Sequence, residues 1–149
     1  MRRLAMSGKE KRMKDLSKKN EYYLPKERRL ELEHFVKQYP MWKTIERNIG
    51  MGLDVGTHLG VNFSKDWIDY TGDKATLRVM IQGKISKVDQ ALAIFDGEPD
   101  LQNYIYENVI YGHSYDTLAA YKFAVMPVSR HEFYRQVRRF YFKLNSIVK

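Results

Sequence analysis

Near the end of the chain, apolar residues recur at spacings of three and four: Phe133, Val137, Phe140, Tyr141, Leu144 and Val148. That rhythm places all six on one stripe of an α-helix, whereas a strand would scatter them over both faces. A helix exposing so much aromatic surface would aggregate, so the stripe has to be buried against other elements. Ser129 and Glu132 stand three apart just before it, the register of a capping box, in which each side chain satisfies an orphan backbone N–H. The sequence therefore predicts a helix from Arg130 to about Val148, with one side in a core.

The same periodicity organises most of the remaining chain. Pro25 suits a first helical turn, where its missing N–H does no harm. Leu30, Leu32, Phe35, Val36 and Tyr39 supply an approximate stripe that Pro40 interrupts, and Trp42, Ile45 and Ile49 follow, which predicts helices near 25–38 and 41–49. After Asp73, a candidate N-cap, Leu77, Met80, Ile81, Ile85, Val88, Leu92 and Phe95 predict a helix over roughly 74–95. Leu101, Tyr104, Ile105, Val109 and Ile110 predict another from about 99 to 111, stopped by Gly112. Ser114 caps a short helix reaching about residue 122. Five glycines within 50–73 argue for turns there, with short extended pieces around 59–63 and 66–70. No internal repeat and no low-complexity segment stands out.

With 149 residues, 44% of them hydrophobic and 30% charged, the chain suits a single globular domain. No apolar run approaches the roughly 20 residues that span a bilayer, and the basic N-terminus lacks the apolar core of a secretory signal. A cytoplasmic protein with no membrane partner is expected. Cysteine is absent, which excludes disulfides and cysteine-based zinc sites. The formal charge of +8 is unevenly placed: residues 1–20 carry +6, residues 130–149 carry +5 and the middle sums to −3. Basic ends on a mildly acidic middle point to a polyanion, with double-stranded DNA the first candidate. Residues 1–20 show no apolar face and are expected to form a basic flexible arm ahead of one compact domain over 21–149.

The second stripe of the last helix carries Arg130, His131, Tyr134, Arg135, Arg138 and Phe142, with Arg139 beside it. Cations early in a helix oppose its dipole, so stability alone is a poor reason for placing them there. A helix fits the DNA major groove, and its N-terminal residues reach base edges. The expected DNA-binding residues are accordingly Arg130, His131, Tyr134, Arg135, Arg138 and Arg139. The bland alternative is a solvated helix face whose arginines pair with acids. The order of helix 99–111, short helix 114–122, turn and capped long helix favours DNA, because it is a tri-helical helix-turn-helix pattern at about 99–149.

The wording of these segments is also familiar. "PDLQNYIYENVIYGHSYDTLA" followed by "VSRHEFYRQVRRFYFKL" resembles the C-terminal DNA-binding domain of sigma factors. Ser114-Tyr115-Asp116-Thr117-Leu118-Ala119 matches the phrase that opens its supporting helix, and Val128-Ser129-Arg130 the one that opens its recognition helix. The stretch from Ala119 to Ser129 is longer than the usual turn. Together with "YYLPKERRLELEHFVKQYPMWK", the chain resembles the RinA/ArpU-like regulators of phage late genes, over roughly 22–49 and 76–147. The resemblance implies a mostly α fold, N-terminal helices joined to a sigma-like helix-turn-helix. It also implies a non-enzymatic activator of phage or prophage late genes in a bacterial host cell, with host RNA polymerase as a second candidate partner. A small terminase subunit, which also combines a helix-turn-helix with helical oligomerisation segments, is the rival.

Other chemistry finds little footing. "GMGLDVG" at 50–56 has its third glycine one position late for a dinucleotide fingerprint, and no strand precedes it. Asp54, His58 and Asp66 could be drawn as metal ligands, but they lie on an unpatterned segment. His34 reads as a boundary or core histidine and His113 as a turn residue. No nucleophile, base and acid stand in a recognisable arrangement. No cofactor, metal site or catalytic residue is expected.

Overall fold

The computed structural model describes residues 19–52, 74–121 and 126–148. The described residues form six α-helices and one 3-10 turn, with no strand among them. The helices are α1 (Lys26–Lys37), α2 (Tyr39–Gly50), α3 (Lys74–Leu92), α4 (Pro99–Tyr111), α5 (Tyr115–Ala120) and α6 (Arg130–Ile147). The mostly α expectation holds, and each predicted helix is present within a few residues. Residues 1–18 of the basic arm, the candidate cap Asp73, the suggested extended pieces and Asp54, His58 and Asp66 lie outside the described residues.

Local chemistry sets the boundaries. Pro25 occupies the N-cap position of α1, and Pro40 falls in the first turn of α2, where it starts a helix that the sequence suggested it would precede. The expected helix over 74–95 ends its α-helical part at Leu92 and tightens into a 3-10 turn over Ala93–Phe95, which still buries Phe95. Gly112 closes α4 with φ 77°, a left-handed conformation that costs glycine nothing. The Ser114 side chain accepts from the Thr117 N–H and caps α5. At α6 the box is half made. Ser129 accepts from the Glu132 N–H at 3.2 Å, while the Glu132 carboxylate accepts from Gln136 and Arg135 instead of reaching back.

One core runs through all six helices. α3 packs against α2 and α6, and α1 packs against α4 and α6, so α6 is held from several sides. Its stripe is buried as expected: Phe133, Val137, Phe140, Tyr141 and Leu144 are all in the core, with Val148 half-buried at its edge. Across from them lie Trp42 and Ile45 of α2, Leu77, Ile81, Ile85 and Val88 of α3, and Leu101, Ile105 and Val109 of α4. A fully buried Phe or Leu contributes roughly 1.5–3 kcal/mol relative to exposure, so this stripe is a main source of stability.

Candidate nucleic-acid interface

Burying that stripe leaves the opposite side of α6 outward, and the candidate residues divide over it. His131 is exposed, and Arg135 and Arg138 are partly so, on the side of the helix away from the core; Phe142 joins them at 43% exposure. Arg130 leans the other way, over α5. Its guanidinium pairs with Asp116 at 2.5 Å and sits 5.6 Å from the Tyr115 ring centroid. Tyr134 is drawn toward the core edge, where its hydroxyl accepts from the Tyr115 N–H at 3.2 Å. Arg139 lies on the opposite flank, donating to Gln136 and placed 5.6 Å from the Phe95 ring. The structure brings together His131, Arg135 and Arg138, and sends Arg130, Tyr134 and Arg139 to the two margins.

Arg135 is covered from a direction the sequence did not announce. Glu21 pairs with its guanidinium at 3.3 Å, and the Tyr22 ring lies 5.5 Å beneath the same group. Tyr22 also meets Phe142, ring centroids 5.8 Å apart. Arg28 fastens this segment to the end of α6 by donating to Asn145 at 2.6 Å and to the Val148 carbonyl. The chain just after the basic arm therefore crosses the outward face of α6. The Glu21 hydrogen bond raises the Arg135 pKa, and the guanidinium keeps its charge.

Arg138 differs from its neighbours. It has no hydrogen bond or ion pair among the described residues, and its Nε is buried without a partner. Burial lowers its pKa, although an arginine remains charged at any ordinary pH. Only Nε is among the buried unpartnered atoms, so the Nη end of the guanidinium is the part open to an acceptor from outside the chain.

Tyr115 ties α5 to α6. Its hydroxyl donates to the Val128 carbonyl at 2.8 Å, its N–H donates to Tyr134, and its ring packs 5.5 Å from Phe133. These contacts fix the start of α6 against the start of α5. Tyr115, Glu21 and Tyr22 were missed as members of this surface. Only Tyr115 carried a signal, as the second residue of the "SYDTLA" phrase. No group of three or more metal-ligating side chains and no helix long and apolar enough to cross a membrane occurs among the described residues.

The chain matches no protein-family model, no curated protein and no solved structure.

Proposed function

We propose that the protein binds double-stranded DNA through the outward face of α6 and acts as a sequence-specific regulator of transcription. The observation that carries this reading is Arg138, charged and without an acceptor among the described residues, flanked on the same face by His131 and Arg135. Phosphate oxygens and guanine edges are the acceptors that a guanidinium fork fits best. The sequence α4, α5, α6, with a serine cap opening each of the last two, supports a helix-turn-helix in which α6 enters the major groove. Arg130 and Arg135 would exchange Asp116 and Glu21 for phosphates on binding. Both carboxylates are exposed, so neither exchange leaves a buried charge behind.

The regulatory part rests on the wording of residues 22–49 and 76–147, which resembles the RinA/ArpU-like regulators of phage late genes. On that reading the protein is an activator acting with host RNA polymerase. The test is to pass sheared phage and host DNA over the protein and sequence what is retained. Enrichment of one short motif upstream of late genes supports the proposal, and retention of fragments without a common motif contradicts its specificity.

A further inference from the structure

α6 buries or half-buries every large apolar side chain it carries except Phe142, which stays 43% exposed. A single exposed aromatic is ordinary on a protein surface. Phe142 is set apart by its place and its neighbours. It follows Arg138 by four residues and Arg135 by seven, so the three share the outward stripe of the helix. At the helical rise its backbone lies roughly 6 Å along the axis from Arg138 and roughly 10 Å from Arg135. The Tyr22 ring, brought from outside the helix, meets Phe142 with centroids 5.8 Å apart and also lies 5.5 Å beneath the Arg135 guanidinium. A turn at Asn20 sets that ring in place. The Asn20 side chain accepts from the Tyr22 N–H at 2.8 Å, and the Asn20 carbonyl accepts from the Tyr23 N–H at 3.1 Å. Arg135, Tyr22 and Phe142 therefore form one continuous surface, cationic at one end and apolar at the other.

On the DNA reading proposed above, which this contact requires, that order of groups selects a particular chemistry in the groove. Base edges in the major groove present donors and acceptors and one apolar group, the C5-methyl of thymine. Arginines suit guanine edges and phosphates, whereas an aromatic ring offers those acceptors little. Stacked bases rise about 3.4 Å each. With α6 lying lengthwise in the groove, Phe142 falls about two base pairs beyond Arg138. We propose that Phe142 reads the 5-methyl group of a thymine at that distance from the base pair facing Arg138. The ring touches the methyl and sets specificity there. Tyr22 is a positioning residue, since its contact with Phe142 confines the ring on the outward stripe.

The experiment measures affinity of the full chain for the duplex it selects, with each thymine in turn replaced by deoxyuridine. That replacement removes the methyl and keeps the base pair. For the parent, at least one replacement should weaken binding about threefold to fivefold. In Phe142→Ala the penalty at that position should vanish. Tyr22→Ala should reduce it, and Tyr22→Phe, which keeps the ring, should preserve it. Thermal melts establish which variants are folded. If Phe142→Ala is not, Phe142→Gln takes its place, and loss of folding in both would make the ring structural and overturn the proposal. It is also overturned if no thymine carries a penalty, or if the penalty survives in a folded Phe142 variant. An undiminished penalty in Tyr22→Ala removes the positioning role. Duplex binding without a methyl penalty removes this contact alone, whereas a parent that binds no duplex removes the DNA reading with it.

Discussion

The two faces of α6 belong to one helix, yet different parts of the chain determine them. On the inner face, Phe133, Val137, Phe140 and Leu144 are buried wherever their partners come from, because any apolar neighbour satisfies them. On the outer face and its margins, the environments of three arginines each depend on one particular residue elsewhere: Asp116 for Arg130, Glu21 for Arg135 and Phe95 for Arg139. Apolar burial is non-directional and tolerant, whereas a guanidinium needs its acceptor at a definite place. Arg138 has no such residue among the described ones.

The comparison breaks most visibly at Phe140. Phe140→Ala should cost roughly 3–5 kcal/mol of stability through lost packing and the cavity left behind. Against a typical total of about 5–15 kcal/mol, thermal melts should show a large fall or no folded protein. A melt near that of the parent would mean that α6 is rotated about its axis. On the outer face the expectation reverses. Arg138→Ala should leave the melt within about 0.5 kcal/mol of the parent. Its cost should appear in DNA affinity, about 1–3 kcal/mol if the guanidinium makes a bidentate base contact. Unchanged binding to a selected site, measured by fluorescence anisotropy, would remove Arg138 from the interface.

Ser129→Ala tests the junction of the two faces. Losing the hydroxyl that accepts from Glu132 should cost about 1 kcal/mol, seen as a lower denaturant midpoint. A smaller effect belongs to Glu21. Glu21→Gln frees Arg135 from its exposed partner and should tighten DNA binding about twofold to fivefold. Glu27→Gln, an exposed acid in the first turn of α1, serves as the control for a general loss of negative charge. Equal gains from both variants would show that the Glu21 contact does not compete with DNA.

The helices, their order and the core stripe were legible because spacing and caps are local properties. Gly112, Ser114 and Ser129 each do at the helix ends what their residue types suggested. The capping box was only half legible, since Glu132 had a nearer choice in Gln136 and Arg135 on its own helix. The composition of the site was less legible than the fold. Tyr134 lies on the polar stripe by spacing, but its hydroxyl meets the Tyr115 N–H from a neighbouring helix and brings it to the core edge. Contacts such as Glu21 with Arg135 join residues far apart in the chain, and no periodicity encodes them.

The central claim is that α6 presents its outward face to duplex DNA, and salt-dependent binding tests it most directly. Affinity of the full chain for a labelled duplex carrying the selected site would be measured from low to physiological salt, for the parent and for Arg135→Ala/Arg138→Ala. If about six phosphates are neutralised, log affinity should fall against log salt with a slope near −5. The double variant should remain folded, bind the site more weakly and show a shallower slope. A flat salt response by the parent, or a folded double variant that binds with the parent's affinity and slope, would contradict the account.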